Sequence, residues 1–441
     1  MSLRVSIIFF LVLLYRISPG QYLETDNYVF REDSLPDGKF IAKYGNGHRA
    51  IQGEILDGKK IGLWKYYYED GQLKETITFE NGEKNGIHRR YDKYGVLISE
   101  TEYEDGILNG KYNEFYDNGA LALEGYYKDG KKDSLWTEYL DSGRPNFEKR
   151  YKNGFPDGQW TFYYAYGRVK AIEYYKMGTE TGTWTTYHAN KQKEKVINYK
   201  NGLRSGSYFE YYEDGTKSVE GTYELDLKTG KWLSFYPDGK LYSIGDYIHD
   251  EKEGIWKYFS KTGALQEEGT YRHDERVGQW IYYHNSGKPE MIGSFRENQK
   301  DGLWGLFYEN EQLKQEQNWV MGKLMGVTDF YTIKGEKRNP GTLTNGTGSL
   351  ITYTPDGRIQ SDYQYVNGVL HGKTHSYFLN GDTKEIGQYS NGERDGTWTQ
   401  FHENGRIASE GKYINGQQTG KWRYYNHRGK LISIVNHNNS E

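Results

Sequence analysis

Two histidines, His371 and His375, form the closest histidine pair in the chain, and imidazole pairs are common metal ligands. A spacing of four residues brings two side chains to one face of a helix, but the residues around this pair are typical of strands and turns. No third ligand is evident beside them, and the chain contains no cysteine. We therefore predict no metal site and no cofactor.

A glutamate recurs at one place in several copies of the repeat described below, and paired carboxylates could perform acid–base chemistry. Each of these glutamates lies beside a glycine, and lysine or arginine alternates with it elsewhere, so cross-strand charge pairing is the expected role. The sequence has no Gly-x-Ser-x-Gly, His-Glu-x-x-His or phosphate-loop motif. We predict no catalytic residue and no enzymatic activity. The recurrent glutamates are Glu124, Glu220, Glu268 and Glu410.

Aromatic rings are the most abundant groups with chemistry to offer, because the chain has 44 Tyr and 11 Trp. Rows of exposed rings could stack on sugars or contact a protein, whereas buried rings would stabilise a sheet that has little aliphatic content. For the tryptophans we favour the structural role. The tryptophans assigned to it are Trp64, Trp160, Trp184, Trp232, Trp256, Trp280, Trp304, Trp398 and Trp422.

These rings belong to a repeat of 24 residues, which we number from the tryptophan position of each copy. The register begins at Phe40, continues through Trp64 and His88 to Thr328, takes one step of 22 residues to Leu350, and then resumes. It comprises 17 copies. A fixed period of this length indicates a repeat array rather than a set of unrelated domains.

Each copy is typical of two strands joined by a turn, with no helical periodicity. Dipeptides such as Asp70-Gly71 predict two-residue type I′ hairpins, which place Trp64 opposite Ile77 and Gly62 opposite Phe79. We therefore predict an all-β array of about 17 antiparallel hairpins in one twisted sheet, with a β-solenoid as the alternative. In seven copies the residue facing the tryptophan position is glycine, so an indole is expected to cover it: Gly125, Gly221, Gly245, Gly269, Gly293, Gly387 and Gly411.

A second aromatic follows three residues after the tryptophan position, an odd spacing that an ideal strand sends to the other face. Either both faces of the sheet carry an aromatic line, or a regular bulge turns both rings to one side. We regard these rings as the better candidates for contact with a partner. The candidates are Tyr67, Tyr91, Tyr139, Tyr163, Tyr187, Tyr211 and Tyr283.

The pattern Asn-Gly-x-x-x-Gly-x-Trp-x-x-Tyr-Tyr-x-x-Gly-x-Leu-x-x-Glu-Gly-x-Tyr resembles the MORN-repeat variant family, and residues 391–413 match it closely. The resemblance covers residues 38 to about 430. It implies an elongated sheet of hairpins that acts in binding or assembly, with no catalytic residue. Many bacterial members of the family are labelled antitoxins.

The ends and one internal segment interrupt the array. Residues 1–20, with Arg4 and the apolar run Val5–Leu14, are typical of a cleaved signal peptide, which predicts a secreted or periplasmic protein. A polar leader follows at 21–36. Regular repeats are expected at 37–327 and 376–435, degenerate repeats with a possible bend at 328–375, and a tail at 436–441.

A net charge of −4, with both signs interspersed, argues against a nucleic-acid partner, and we expect no membrane contact. Our main hypothesis is a non-enzymatic scaffold that binds a protein. A glycan-binding wall or surface protein is the first alternative, and an antitoxin or immunity protein that neutralises a secreted toxin is the second. The sequence leaves the oligomeric state open.

Packing is expected to be weakest at residues 326–375, because three consecutive copies there lack the aromatic at the tryptophan position. The amide hydrogens of this segment should therefore exchange faster than those of residues 158–305. Hydrogen exchange measured by mass spectrometry checks this expectation, and equal protection of the two segments would contradict it.

Overall fold

The structure is a computed structural model and describes residues 36–437. The predicted signal peptide, the leader up to residue 35 and the last four residues of the tail lie outside the described residues. The described chain consists of β-strands and turns and contains no helix, so no helix in this part is long and apolar enough to cross a membrane. It divides into two compact units, the first ending at Lys191 and the second beginning at Gln192.

The first unit contains fourteen strands. They are β1 (Gly38–Lys43), β2 (Arg49–Leu56), β3 (Lys59–Tyr67), β4 (Leu73–Glu80), β5 (Glu83–Tyr91), β6 (Leu97–Glu104), β7 (Ile107–Phe115), β8 (Leu121–Lys128), β9 (Lys131–Tyr139), β10 (Pro145–Lys152), β11 (Phe155–Tyr163), β12 (Val169–Lys176), β13 (Thr179–Glu180) and β14 (Gly182–Tyr187).

The second unit contains the remaining strands. They are β15 (Lys193–Lys200), β16 (Leu203–Tyr211), β17 (Lys217–Glu224), β18 (Leu227–Phe235), β19 (Leu241–Ile248), β20 (Glu251–Phe259), β21 (Leu265–Arg272), β22 (Glu275–Tyr283), β23 (Pro289–Arg296), β24 (Gln299–Phe307), β25 (Leu313–Val320), β26 (Lys323–Val327), β27 (Phe330–Tyr331), β28 (Lys337–Arg338), β29 (Gly348–Tyr353), β30 (Ile359–Val366), β31 (Val369–Leu370), β32 (Gly372–Tyr377), β33 (Thr383–Ser390), β34 (Glu393–Phe401), β35 (Ile407–Ile414), β36 (Gln417–Tyr425) and β37 (Leu431–His437).

Within each unit the strands pair antiparallel with their neighbours in sequence, as in β3 with β4 and β4 with β5. The predicted all-β array of antiparallel hairpins is therefore confirmed. A solenoid would stack strands from successive coils in parallel, and neither unit contains such pairs among the described residues.

Two different turns alternate along the array, and the predicted type I′ turn at Asp70-Gly71 is wrong. Tyr68 donates its N–H to the carbonyl of Gln72 at 2.8 Å and accepts the N–H of Gly71 at 2.9 Å, which closes a three-residue loop. Only Gly71 has a positive φ, because the Asp70 carboxylate accepts the N–H of Gln72 at 2.9 Å and keeps Asp70 in an ordinary conformation. The type I′ turn lies at the other end of the hairpin, where Asn81 (φ 51°) and Gly82 (φ 90°) occupy both central positions.

The predicted cross-strand register is nevertheless confirmed, with Trp64 facing Ile77 and Gly62 facing Phe79. The three-residue loop moves the pairing by one residue, and a bulge beside it moves the pairing back. Tyr67 pairs with Leu73, and Tyr66 pairs with Glu75. Lys74, between the two partners, therefore faces no residue of the opposite strand and forms the bulge. Two deviations from the ideal hairpin therefore cancel.

We predicted that each tryptophan covers the glycine of its own hairpin, and this prediction is wrong. The tryptophans cover glycines of the preceding repeat. By register Trp256 faces Gly269, but its indole lies across Gly245, where an added Cβ would stand 2.1 Å from the ring. The same contact holds for every glycine at this place in the strand, which we call the strand glycines: Gly53, Gly125, Gly221, Gly245, Gly269, Gly293, Gly387 and Gly411.

A wide bulge between repeats explains this correction. In the β19–β20 pair the ladder runs from Ile244 opposite Lys257 to Asp246 opposite Glu253, so it skips the strand glycine. Gly254, with φ of 72°, lets the chain depart from the ladder. The carbonyl of Asp246 accepts the indole N–H of Trp256 there at 3.1 Å.

The two sides of the sheet carry different aromatic lines, as the odd spacing allowed. Trp64 and Tyr66, two residues apart, are both buried on one side, which we call the tryptophan face. Thr137, one residue after Trp136, points to the other side and pairs with Glu124. Tyr139 lies on that side too, because its hydroxyl donates to the Glu124 carboxylate. We call this side the tyrosine face. The bulge beside the three-residue loop does not turn both aromatic lines to one side. It lies on β4, whereas Trp64 and Tyr67 both lie on β3.

The sheet of the second unit is interrupted in the segment where the tryptophan position is degenerate. Pairing stops after β26, the two-stranded β27–β28 follows, and a new sheet begins at β29. An aliphatic cluster of Leu324, Leu343 and Leu350, all buried, takes the place of the missing rings. The bend predicted for this segment stays a prediction.

Replacing a strand glycine should disrupt the contact between repeats. For Gly245→Ala we expect a loss of about 1–3 kcal/mol in the free energy of unfolding, because the new methyl group overlaps the indole of Trp256. Gly326→Ala is the control, since its Cβ would meet its nearest neighbour atom at an ordinary 3.7 Å. Chemical denaturation of the two variants checks the difference.

A compensating pair makes this test specific. Thr101 and Tyr112 occupy the two equivalent places elsewhere in the chain and pair directly. The double variant Gly245→Thr with Trp256→Tyr should therefore be more stable than Gly245→Thr alone. Equal stability of the single and double variants would show that the ring over the glycine is not the source of the strain.

Candidate functional site

Within the second unit, aromatic rings of successive repeats contact one another edge to face along the tryptophan face. Trp256 lies 5.2 Å from Tyr247 of the preceding repeat and 6.1 Å from Tyr271 of its own, at 88° and 80° between ring planes. A cation lies over most of the indoles, as Lys252 does at 4.4 Å from Trp256 and Arg276 at 4.6 Å from Trp280. The deeper tryptophans have no surface left for a ligand.

Two of the tryptophans assigned a structural role are only half-buried. Trp160 and Trp184 follow repeats whose strand position holds Lys149 and Glu173 instead of glycine. A side chain at that place keeps the ring from lying flat on the backbone. Both indole N–H groups still donate to a carbonyl of the preceding repeat, at 2.9 and 3.0 Å.

The seven tyrosines predicted to contact a partner all lie half-buried on the tyrosine face. Tyr139 donates to Glu124 and Tyr283 to Glu268, each at 2.6 Å, so these hydroxyls already bind the preceding repeat. Burial and the carboxylate hydrogen bond raise the pKa of both tyrosines to about 12. What remains for a partner is the outer part of each ring.

Three of the four recurrent glutamates, Glu124, Glu268 and Glu410, therefore have tyrosine partners that the sequence analysis missed. Glu268 also binds Lys257 at 2.8 Å, and these hydrogen bonds hold its pKa below the usual range although burial opposes them. Glu220 pairs with Lys217 at 2.6 Å.

A further set of tyrosines, one residue after the candidates, was missed altogether. Their hydroxyls donate to a backbone carbonyl of the next repeat, always 23 residues ahead. Tyr68, for example, donates to the carbonyl of Tyr91 at 2.9 Å. The recurring Tyr-Tyr dipeptide was the available signal for this contact. The set includes Tyr68, Tyr116, Tyr164, Tyr212, Tyr236 and Tyr308.

A hollow interrupts the tryptophan face in the second unit. Its floor is Ser234 and Ser243, whose hydroxyls are hydrogen-bonded to each other, at places where the next repeat has Tyr258 and Glu267. The small side chains leave a cavity of ≈ 370 Å³ walled by aromatic rings. Its volume is in the range that accommodates a small ligand.

Fixed polar groups border this hollow. Lys252 donates to the hydroxyl of Tyr258 at 2.8 Å, and burial raises the pKa of that tyrosine. At the opposite wall burial acts on Glu210 as well, but hydrogen bonds from Tyr208 and Lys195 hold its pKa below the ordinary value. Aromatic walls with a few oriented donors and acceptors suit a polar ring such as a sugar.

The tyrosine face carries a different feature, exposed aliphatic side chains directly before the tryptophan position. Ile255 is 62% and Leu303 58% exposed, and Leu63 and Leu135 occupy the same place in the first unit. Aliphatic side chains on a solvated sheet gain from being covered. Together with the half-exposed tyrosine rings, Ile255 and Leu303 give the tyrosine face accessible apolar groups in the second unit.

The histidine pair is divided between separate partners. His375 lies 2.9 Å from the hydroxyl of Thr383 and 3.1 Å from that of Tyr377, whereas His371 lies near the backbone of Asn391. No group of three or more metal-ligating side chains in residues 36–437 could hold a metal ion.

Comparison with known proteins identifies the repeat. The family model of the MORN repeat variant matches seven segments of the chain, at residues 60–81, 108–129, 180–201, 228–249, 252–273, 394–415 and 418–439. These seven segments are therefore MORN-variant repeats, and the resemblance stated from the sequence is confirmed. No curated protein matches the chain.

Among solved structures, the chain is similar to the crystal structure of TcdB2-TccC3-TEV, with 10% identity over 88% of this chain and 28% of that one, at a TM-score of 0.15. It is also similar to the Photorhabdus luminescens Tc holotoxin pore with a TccC3 mutation, with 11% identity over 85% of this chain and 26% of that one, also at 0.15. The chain thus spans about a quarter of the length of these relatives. Scores this low support no functional argument.

Stability at high pH should depend on the tyrosine–glutamate contacts. The folded state favours the neutral phenol of Tyr283, so its contribution is complete below pH ~10 and is lost as the pH rises through about 12. Tyr283→Phe should lower the free energy of unfolding by about 1 kcal/mol at neutral pH and flatten this alkaline loss. Denaturation across the pH range checks it, with Tyr94→Phe, at a ring that is 78% exposed, as the control. An unchanged alkaline slope would contradict the assignment.

Proposed function

We propose that this protein is a non-enzymatic repeat scaffold that binds a protein partner through its tyrosine face. The observation that carries the proposal is the pair of exposed aliphatic side chains, Ile255 and Leu303, on the face that also carries half-exposed tyrosine rings. Aromatic and aliphatic groups of this kind form the centres of protein interfaces. MORN-variant repeats and the antiparallel array support the scaffold role.

We further propose that the protein lies outside the cytosol. Arg4 followed by the apolar run Val5–Leu14 supports a signal peptide, so the partner would be a secreted, periplasmic or surface protein.

Site-specific photo-cross-linking in the native cell tests the surface. A cross-linking residue at 255 or 303 should capture one protein repeatedly, whereas one at Tyr242, which is 44% exposed and lines the hollow on the tryptophan face, should not. With the partner in hand, Ile255→Lys should weaken binding about tenfold or more, because a charge would enter the centre of the interface. Leu379→Lys, at a turn residue that is 67% exposed, should leave binding unchanged. Equal loss in both variants would contradict the proposed surface.

A glycan partner is the second candidate, and the hollow above Ser234 is the observation that favours it. Peptidoglycan fragments and surface polysaccharides are titrated while tryptophan fluorescence is recorded. Ser234→Tyr serves as the matched variant, because it gives this repeat the side chain that Tyr258 supplies at the same place in the next repeat. Saturable binding that Ser234→Tyr removes would favour the glycan over the protein partner.

A further inference from the structure

We infer that the tryptophan face of the second unit binds an acidic polysaccharide, which lies across two adjacent hollows. The ligand is an extended glycan with a negative charge on every second sugar. It is the glycan of the second candidate function, on which the proposal therefore rests, and it is independent of the protein partner proposed for the tyrosine face.

A second hollow lies beside the one above Ser234, which we call the first hollow. Its volume is ≈ 530 Å³, and that of the first hollow is ≈ 370 Å³. The two hollows share a wall formed by Tyr242, Lys252 and Tyr258, and the two tyrosine rings of this wall are 6.2 Å apart in an edge-to-face contact. A long ligand in the first hollow would therefore continue over this wall into the second.

Three cations line the two hollows, at the same place in three consecutive repeats. Lys228 lines the first hollow, Arg276 the second, and Lys252 both. Their contacts there are with neutral groups, because Lys228 lies 4.7 Å from the ring of Trp232 and the other two cations donate to tyrosine hydroxyls. Neutral partners hold these side chains in position and leave their charges uncompensated.

The carboxylates along this surface cancel only part of that charge. Glu210 in the first hollow is already paired with Lys195 at 3.0 Å, so Glu267 in the second hollow is the carboxylate that opposes the three cations. The carboxylates of Asp250 and Asp274 accept the backbone N–H groups of the two lysines at the turns and line neither hollow. Two positive charges remain over two hollows, which favours a ligand with one negative charge per repeat.

The spacing of the hollows favours a glycan over a nucleic acid. Each repeat contributes two strands to the sheet, so successive hollows are about 10 Å apart. A nucleic-acid strand carries a phosphate every ~3.4 Å, or about three per repeat, which is more negative charge than this surface can balance. Two sugars of an extended glycan span about the length of one repeat, so an acidic group on every second sugar matches the cations.

The shape of the first hollow favours a sugar over an acidic peptide. Tyr247 and Tyr258, both half-buried, give it apolar walls, and the hydroxyls of Ser234 and Ser243 give it a polar floor. A sugar ring has apolar faces and hydroxyl groups at its rim, which suits such a site. A volume of ≈ 370 Å³ accommodates a whole sugar ring, whereas an aspartate or glutamate side chain would fill only a small part of it.

Titration with hyaluronan oligosaccharides, which carry a carboxylate on every second sugar, tests the class of ligand. Tryptophan fluorescence follows the binding, and carboxyl-reduced oligosaccharides of the same length are the matched neutral probes. The hexasaccharide should bind about tenfold more tightly than its reduced form, and salt should weaken its binding. It should also bind about tenfold more tightly than the disaccharide, because it reaches both hollows.

The results separate this proposal from the glycan function on which it rests. Equal binding of the acidic and the reduced hexasaccharide would overturn the acidic ligand and leave a glycan partner in place. Binding of neither would overturn the proposal, whereas the glycan function is decided by the titration with wall polymers. Tighter binding of single-stranded DNA, poly-L-glutamate or anionic lipid vesicles would show that the surface recognises another polyanion, and this too would overturn it.

Charge-removing variants test the arrangement of the two hollows. Lys252→Gln should weaken binding of the hexasaccharide by about tenfold or more, because this cation serves both hollows. Lys228→Gln and Arg276→Gln should each weaken it less, since each removes a cation from one hollow. Lys231→Gln is the control, because Lys231 is paired in the ladder with Asp246 one residue before the tryptophan position, lines neither hollow and should not affect binding. Equal loss in the control variant would contradict the proposed site.

Removal of the opposing carboxylate should increase the affinity. Glu267→Gln should strengthen binding of the acidic hexasaccharide several-fold and leave binding of the reduced form unchanged, because the second hollow then holds no negative charge. A variant that failed to fold could not bind more tightly, so this gain cannot result from misfolding. Unchanged affinity of the folded variant for the acidic probe would contradict the role of the second hollow.

Discussion

The contact on which the array depends is an indole lying flat on the backbone of a strand glycine in the preceding repeat. A sheet one layer thick has no core to bury its apolar groups, so each repeat must use its neighbour as the interior. Trp280 and Trp304, which are 0% exposed, achieve this by covering Gly269 and Gly293. The contact requires a missing side chain on one strand and a bulge in the ladder that lets the indole reach the backbone. Most of the indoles also donate their N–H to a carbonyl of the preceding repeat, as Trp280 and Trp304 do.

Much of this architecture was predictable, because period, strand content and register follow directly from residue types. The register of Trp64 with Ile77 was correct although its turn was assigned wrongly. A dipeptide such as Asp70-Gly71 suits both a type I′ turn and the last two residues of a three-residue loop. The two differ by one residue, and the bulge that compensates for this difference has no distinct sequence signal.

The partner of the indole was predictable in principle, but the prediction chose the wrong repeat. Every strand glycine is followed, eleven residues later, by a tryptophan. Within its own hairpin, by contrast, Gly125 faces Tyr112, Gly221 faces Tyr208 and Gly387 faces Thr374. This covariation along one chain identifies the interface between repeats. The hollow above Ser234 was not predictable, since its depth depends on which neighbouring rings share the face.

The same contacts separate the positions that hold the array together from those that are free to vary. The tryptophan, the strand glycine and the tyrosine that donates to the next repeat are all committed to adhesion. The residue before the tryptophan position is not, and it changes from Ile255 to Gln279 to Leu303 in consecutive repeats. The floor of the tryptophan face likewise changes from Ser234 to Tyr258. Because these substitutions leave the adhesive contacts in place, such positions can encode recognition of a partner at little cost to the fold.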